Sequence, residues 1–411
     1  KVIRLFNIIG SGTTPKNITS DFSCVNWIQS GDINGSLISD CKNNISKSIV
    51  SQYSALKIYA APFIVIAMYG ASVGNISISL INGCVNQACC VLSTSICNLN
   101  YAFYAIKSSQ NYLVRKAIGG GQPNINQDTI KQLWLPLPAL PEQERIAAFL
   151  DAECAEIDAV LEKTRASIEE YKKLKQAVIT QAVTRGIRGD RPMKDSGIEW
   201  IGEIPESWEV SSVRYIGQLQ NGISKGGEFF GKGFPFVSYG DVYKNYELPH
   251  SISGLIDTTE DERATYSVEY GDIFFTRTSE TIEEVGFSCV CKRSIPNATF
   301  AGFIIRLRPF CADEKILTDY AKYYFRGEHI RAYLVKEMNL VTRASLGQTL
   351  LKGMSVIVPP KSVQKEIAEY LDDKCADIDA LVAKKQQYLT EIENYKKSLI
   401  YEYVTGKKEV V

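Results

Sequence analysis

The sequence has 411 residues, 45% hydrophobic and 22% charged, and its 46 Lys and Arg balance its 46 Asp and Glu to a formal net charge of zero. This composition is that of a globular protein and excludes disordered and collagen-like chains. No apolar run approaches the roughly 18 residues of a membrane-spanning helix, and the first residues lack a signal-peptide pattern. We therefore expect a cytoplasmic protein that does not associate with a membrane. Because Lys1 takes the place of an initiator Met, we also expect that a native leader segment has been trimmed.

Cysteine and histidine usage argues against metal and triad chemistry. The eleven cysteines are scattered, and Cys289 and Cys291 are too close together for ordinary zinc spacing, so we expect reduced thiols, most of them buried. The two histidines, His250 and His329, are expected on the surface or in loops. We predict no catalytic, cofactor or metal site in this chain.

Residues 1–140 have the sequence pattern of a mixed α/β domain, in which short apolar runs alternate with turn residues. Strands are predicted at 63–68, 75–81 and 88–92, and a helix at 99–108. The region carries ten Lys and Arg against four Asp and no Glu, an excess that suits a polyanionic ligand.

Residues 141–186 are predicted to form one long helix. Pro141 begins it and Gly186 ends it, and the apolar positions step alternately by four and three residues, which is the pattern of a coiled-coil seam. The predicted interface positions are Leu150, Ile157, Leu161, Ile168, Tyr171 and Val178.

A linker at 187–208 leads into a second mixed α/β domain at 209–358, with strands predicted at 273–276 and 303–307 and a helix at 318–336. This domain has 17 basic and 18 acidic residues, so it lacks the electrostatic signature of the first.

Residues 359–406 repeat the long helix, and 407–411 form a short tail. The stretch IAAFLDAECAEIDAV from Ile146 recurs from Ile367 as IAEYLDDKCADIDAL, at a constant offset of 221 residues. The second set of interface positions is Leu371, Ile378, Val382, Leu389, Ile392 and Leu399.

A helix of about 40 residues cannot bury its seam alone. We expect the two helices to pair antiparallel within the chain, giving an α+β fold with two mixed α/β domains, an intramolecular coiled coil and pseudo-twofold symmetry. Two alternatives are that each helix packs on its own domain, and that helices of two molecules pair in a homodimer. Lys175 and Lys396 interrupt the seam symmetrically, and they either fix its register or extend to water.

The two domains share only weak landmarks, which are the segments that begin at Trp27 and Phe236 and the glycines Gly12 and Gly222. A duplication that keeps its helices alike while its domains diverge suggests shared assembly surfaces carrying two different recognition surfaces.

Two stretches, LPLPALPEQERIAAFLD from Leu135 and DSGIEWIGEIPESWEV from Asp195, resemble the helix entry and the interdomain linker of type I restriction-modification specificity subunits. The resemblance covers essentially the whole chain. It implies that 1–140 and 209–358 are target recognition domains that each read one part of a split, asymmetric site in double-stranded DNA, and that the paired helices set the spacing.

The resemblance also implies the partners. Two methyltransferase subunits would use S-adenosylmethionine, and restriction subunits would supply ATP- and magnesium-dependent translocation and cleavage, so this chain itself would be non-catalytic. The alternatives are a scaffold that binds only proteins, and a self-contained nuclease or methyltransferase. The last is disfavoured because a methyltransferase glycine loop and an Asn/Asp-Pro-Pro-aromatic motif are absent from the sequence.

Base readout needs polar or basic side chains on loops that reach the grooves of DNA. The candidate DNA-binding residues of the first domain are Ser11, Thr13, Thr14, Lys16, Asn75, Gln122 and Asn124. Those of the second domain are Asn221, Ser224, Lys225, Arg277, Thr278, Ser279, Arg343 and Ser345.

Overall fold

The computed structural model describes residues 1–16, 24–35, 37–117, 123–189, 191–279, 285–337 and 344–410. The chain forms two compact units. Unit 1 comprises Lys1–Arg165 and Gln386–Val411, and unit 2 comprises Ala166–Lys385.

The strands and helices are short except for two. The strands are β1 (Ile8–Gly10), β2 (Cys24–Ile28), β3 (Leu37–Ile38), β4 (Asn44–Ser46), β5 (Phe63–Ala67), β6 (Ile76–Ser79), β7 (Gly83–Val85), β8 (Cys89–Ser93), β9 (Met193–Asp195), β10 (Glu203–Pro205), β11 (Glu209–Ser212), β12 (Gly217–Asn221), β13 (Phe230–Val237), β14 (Leu255–Ile256), β15 (Ile273–Thr276), β16 (Thr278–Ser279), β17 (Ser288–Val290), β18 (Thr299–Phe300), β19 (Ile304–Pro309), β20 (Ala344–Ser345) and β21 (Ser355–Val358). The helices are α1 (Lys47–Gln52), α2 (Leu99–Ser108), α3 (Gln110–Arg115), α4 (Gln127–Gln132), α5 (Leu140–Arg185), α6 (Tyr239–Lys244), α7 (Glu260–Thr265), α8 (Thr318–Tyr324), α9 (Glu328–Glu337), α10 (Gln348–Gly353) and α11 (Lys361–Val404).

Both units contain two equivalent sheets, and the larger one has an additional edge strand, β3, in unit 1. The larger sheet has the strand order β1-β8-β5-β6-β3 in unit 1 and β12-β19-β15-β17 in unit 2. The smaller sheet is β4-β2-β7 in unit 1 and β14-β13-β18 in unit 2, and in each the last two strands run parallel. The duplication predicted from the helices therefore extends through both domains.

The weak likeness between the segments at Trp27 and Phe236 has a structural reason. In unit 1 the backbone N–H of Gln29 donates to Asp32 Oδ2 at 2.8 Å, and in unit 2 the backbone N–H of Ser238 donates to Asp241 Oδ2 at 2.8 Å. The same carboxylate cap thus ends the first strand of each smaller sheet.

A repeated glutamine joins each long helix to its domain. Gln143 Oε1 accepts from the backbone N–H of Asn98 at 3.0 Å, and Gln143 Nε2 donates to the carbonyl of Pro138 at 2.8 Å. Its equivalent, Gln364, accepts from the N–H of Leu317 at 2.7 Å and donates to the carbonyl of Pro359 at 2.8 Å. Both side chains are buried, so this contact fixes how each helix leaves its domain.

A tyrosine–aspartate pair repeats farther along each helix. The hydroxyl of Tyr104 donates to Asp151 at 2.8 Å, and the hydroxyl of Tyr323 donates to Asp372 at 2.8 Å. Burial and the neighbouring carboxylate raise the pKa of both phenols, so each remains a protonated donor.

In unit 1, the start of α5 packs against the end of α11. The rings of Phe149 and Tyr403 lie 4.4 Å apart, Lys396 Nζ lies 2.5 Å from Asp158, and Arg165 lies 2.6 Å from Glu393. Residue numbers rise along one helix as they fall along the other, so the helices are antiparallel.

In unit 2, the end of α5 packs against the start of α11 in the same sense. Lys385 Nζ lies 5.6 Å from the centre of the Tyr171 ring, and Lys175 Nζ lies 2.6 Å from Asp379. The predicted intramolecular antiparallel pairing is confirmed, and the lysines that interrupt the seam, Lys175 and Lys396, form equivalent ion pairs at equivalent positions.

The predicted interface residues differ in burial. Seven are buried: Leu150, Leu161, Ile168, Leu371, Ile378, Leu389 and Leu399. Five are partly buried: Ile157, Tyr171, Val178, Val382 and Ile392.

The predicted helix at 318–336 is wrong in one respect, because the chain breaks it into α8 and α9 around Gly327. A Cβ at this glycine would lie 2.5 Å from the ring of His329, so the backbone turns where only glycine fits. The sequence predicts His329 on the surface or in a loop, and it is instead buried in α9 against Tyr324, with ring centres 4.7 Å apart.

All eleven cysteines are free thiols, and nine are buried. Among the described residues, no helix combines the length and the apolar character needed to cross a membrane.

Candidate nucleic-acid interface

In unit 2, several loops meet at one end of the larger sheet. Asn221, the last residue of β12, pairs with Ile305, and Thr276, the last residue of β15, pairs with Ile304 at the start of β19. The segments that follow β12 and β15 therefore leave the sheet side by side. We call this region the unit 2 sheet end, and its polar residues are Asn221, Arg277, Thr278, Ser345 and Gln348.

A two-stranded ladder joins two segments that lie far apart in the sequence and that each contain predicted DNA-binding residues. Thr278 of β16 pairs with Ser345 of β20, and the N–H of Leu346 donates to the carbonyl of Arg277 at 2.7 Å. Gln348 Nε2 then donates to Asn221 Oδ1 at 3.0 Å. The structure thus brings four predicted residues, Asn221, Arg277, Thr278 and Ser345, into one region.

Other candidates in unit 2 have different surroundings. Lys225 Nζ lies 2.6 Å from Glu262 Oε2 and 2.9 Å from the carbonyl of Asp257, so its charge is already paired. Ser224 is exposed, and the backbone of Ser279 pairs with Ala344. Arg343 lies outside the described residues.

Unit 1 has an equivalent sheet end. Gly10 of β1 pairs with Val91 and Ala67 of β5 pairs with Cys89, so the segments after β1 and β5 again emerge together. Tyr69 pairs with Asn124 in an isolated bridge, as Thr278 pairs with Ser345 in unit 2.

A polar cleft of about 510 Å³ lies at the unit 1 sheet end. Its lining includes Ser11, Tyr69, Gln87, Gln127 and Lys131. The lining also includes Asp128, which accepts from Lys131 Nζ at 3.1 Å, so this amine already has a partner. The uncharged hydrogen-bonding side chains and the exposed aromatic ring are groups that contact bases.

The remaining candidates of unit 1 have mixed roles. Thr14 Oγ1 donates to Gln87 Oε1 at 2.5 Å, Thr13 is partly buried, and the backbone N–H of Lys16 donates to the hydroxyl of Tyr53 at 3.3 Å. Asn75 Nδ2 donates to the carbonyl of Ile33 at 3.1 Å, so this side chain holds two loops of unit 1 together. Gln122 lies outside the described residues.

The sequence reasoning missed the glutamines and the aromatic rings. Gln127 and Gln348 occupy the first position of α4 and α10 at an offset of 221 residues, the offset of the helical repeat. That offset was available in the sequence and would have identified both. Tyr69 and Phe303, which are exposed at the two sheet ends, carried no comparable signal.

The described residues contain no group of three or more His, Cys, Asp and Glu side chains placed to hold a metal ion. Several buried titratable groups make internal contacts. Asp272, for example, is fully buried and accepts from Arg308 at 2.6 Å, while its burial raises the pKa of the carboxyl.

Comparisons with known proteins agree on one family. The model of the type I restriction modification DNA specificity domain matches residues 4–170 and 205–393. The chain is 25% identical over 315 residues to the type I restriction enzyme MjaVIII specificity subunit of Methanocaldococcus jannaschii, covering 75% of this chain and 70% of that protein. It is 24% identical over 304 residues to the EcoKI specificity subunit of Escherichia coli K12, covering 72% of this chain and 62% of that protein.

A solved chain has the same fold. It comes from a study of complex assembly and conformational transition of the type I R-M system, and its TM-score is 0.72 at 16% identity, covering 98% of this chain and 96% of that one.

Proposed function

The chain belongs to the type I restriction-modification DNA specificity family, and from this premise we propose that its two units each read one half of a split, asymmetric site in double-stranded DNA. One observation carries the proposal. The two sheet ends have the same backbone pairing and different side chains, with Tyr69 and Asn124 in unit 1 where unit 2 has Thr278 and Ser345. A shared framework with different side chains suits a reader of two different sequences.

The recognition domains would be residues 1–140 and 209–358. The excess of basic residues in 1–140 supports direct phosphate contacts by the first domain. In the second domain much of the basic charge is neutralised internally, as in the pairs of Lys225 with Glu262 and Arg308 with Asp272. The partner subunits would therefore supply part of the phosphate-binding surface around the second half-site.

Methylation and restriction would be carried out by partners. Two methyltransferase subunits would use S-adenosylmethionine, and restriction subunits would use ATP and magnesium, while this chain contributes the DNA sequence preference. Exposed apolar residues at two equivalent positions of the long helices support two methyltransferase copies. The α5 outer stripe consists of Val160 and Leu174, and the α11 outer stripe consists of Leu381, Tyr388 and Tyr395, all exposed.

The stripes are related by the repeat. Val160 and Leu174 correspond to Leu381 and Tyr395 at the offset of 221 residues, and spacings of seven and fourteen residues keep each set on one helix face. A partner that binds one stripe would find an equivalent site on the other helix.

The experiment is to express the chain with the methyltransferase subunit from its own source, add S-adenosylmethionine, and map methylated adenines across a genome. We expect one split motif with a fixed gap. Exchanging residues 209–358 for another such domain should change only one half of the motif. A stable, active complex that methylates without any motif would overturn the proposal and favour a scaffold that binds only proteins.

A further inference from the structure

The backbone pairing at the two sheet ends places Arg277 of unit 2 at the position equivalent to Met68 of unit 1. The N–H of Ile125 donates to the carbonyl of Met68 at 2.9 Å in unit 1, and the N–H of Leu346 donates to the carbonyl of Arg277 at 2.7 Å in unit 2. Each of these residues directly follows an inner strand of its larger sheet, β5 or β15. At this position unit 1 therefore has a buried methionine, and unit 2 has a partly buried arginine.

The guanidinium of Arg277 makes no hydrogen bond or ion pair with any residue that the structure describes. Other arginines of the unit 2 core do. Arg306 donates to the carbonyl of Ser267 at 2.5 Å, and Arg326 donates to the carbonyl of Ser288 at 2.6 Å. Arg277 is thus held in place by its backbone, and its five guanidinium N–H donors have no partner within the described part of the chain.

The other described polar groups of the unit 2 sheet end are uncharged. The unit 2 sheet end otherwise presents Thr278, Ser345, Asn221 and Gln348, and the backbone N–H of Arg277 donates at 2.9 Å to the carbonyl of Phe303, whose side chain is 64% exposed. A single arginine among neutral hydrogen-bonding groups is suited to the edge of one base, and among the described residues of this sheet end no carboxylate competes for the guanidinium.

We propose that Arg277 reads a guanine in the half-site bound by unit 2, an inference that rests on the proposed function. The planar guanidinium matches the two acceptors, N7 and O6, that guanine presents in the major groove. Met68 cannot form this contact, so the equivalent position of unit 1 does not select guanine in this way. Gln127 and Gln348 are the same in both units, so they do not distinguish the two half-sites.

The test uses the complex with the methyltransferase subunit and synthetic duplexes in which each base pair of the unit 2 half-site is changed in turn. We expect Arg277→Met to lower the initial methylation rate on the original site by about 10-fold to 100-fold and to remove the preference for guanine at one position. Arg277→Lys should lose the same preference although it keeps the charge. The unit 1 half of the motif should stay unchanged in both variants.

Arg293→Met is the matched control, because Arg293 is an exposed arginine of the same unit away from the sheet end, and it should retain the full motif. Three outcomes overturn the proposal: a unit 2 half-site without guanine, an unchanged motif in Arg277→Met, or a uniform loss on all duplexes with a shallower salt dependence, which indicates a phosphate contact. If the unaltered complex shows no split motif, the proposed function itself has failed, and the two failures are thereby distinguished.

Discussion

His329 is a buried imidazole without a partner among the described residues. Neither ring nitrogen has a hydrogen bond, and burial lowers the pKa of the ring to about 3. The side chain is therefore neutral in the folded protein at neutral pH, and its packing against Tyr324 comes at the cost of an unsatisfied polar group.

This burial predicts a pH dependence of stability. An unfolded histidine has a pKa of about 6.5, so below that pH the unfolded chain binds a proton that the folded chain does not. The free energy of unfolding of unit 2 should therefore fall as the pH drops from 7 to 5, by up to about 1.4 kcal/mol per pH unit from this residue. His329→Phe, which keeps an aromatic ring and cannot titrate, should lose that contribution. Urea denaturation at several pH values measures both proteins.

His250→Asn is the control, because His250 is exposed and its replacement should leave the pH dependence in place. The difference in unfolding free energy between His329→Phe and the unaltered protein should grow as the pH falls. A difference that stays constant from pH 8 to pH 5 would contradict the assignment of a neutral buried ring.

The two long helices are stabilised along one face and are solvent-exposed along another. Leu371 is fully buried in the unit 2 core with Ile179, Val183 and Ile367, whereas Leu381 on the same helix is largely exposed. The seam of α11 thus contributes to the stability of its unit, while the exposed position beside it contributes little.

Leu371→Ala should therefore lower the free energy of unfolding by about 2–5 kcal/mol, because it removes buried methyl groups and leaves a cavity. Leu381→Ala makes the same chemical change at an exposed position and should cost less than about 0.5 kcal/mol. Chemical denaturation followed by helical circular dichroism compares the two. Equal losses would mean that the buried face of α11 is assigned wrongly.

The sequence predicted the elements with strong local signals. The long helices followed from heptad spacing, a proline at one end and a glycine at the other, and α2 and β15 have the predicted bounds. The break between α8 and α9 was missed because a single glycine inside an amphipathic pattern is often tolerated, and here the ring of His329 decides the local backbone.

The candidate site was less predictable than the helices. The ladder of β16 and β20 joins Thr278 and Ser345, which lie far apart in the sequence, and two-residue strands leave no periodic pattern to detect. Arg277 lies in a short connection between β15 and β16, whereas Asn221, predicted in a loop, is the last residue of β12, and their meeting depends on the sheet between them. By contrast, Lys225 is of a residue type that commonly binds phosphate, but its ammonium group pairs internally with Glu262. The sequence did not reveal this partner.

At the scale of the whole molecule, one repeat relates both the buried seam and the outer stripes. The ion pair of Lys396 with Asp158 in unit 1 corresponds residue for residue to the pair of Lys175 with Asp379 in unit 2. A surface that repeats at the same offset as these structural contacts is suited to two copies of one partner. The two stripes therefore predict a stoichiometry as well as a binding face.

We expect native mass spectrometry of the co-expressed complex to show two methyltransferase subunits per chain. Leu174→Asp on the α5 outer stripe and Tyr395→Asp on the α11 outer stripe should each remove one copy, because a carboxylate would be buried in an apolar contact. The double variant should bind none. Asn394→Asp introduces the same charge beside Tyr395 on a different helix face and should keep both copies. If Leu174→Asp alone released both subunits, or the double variant kept both, the partner would bind elsewhere and the repeated stripes would have no role in assembly.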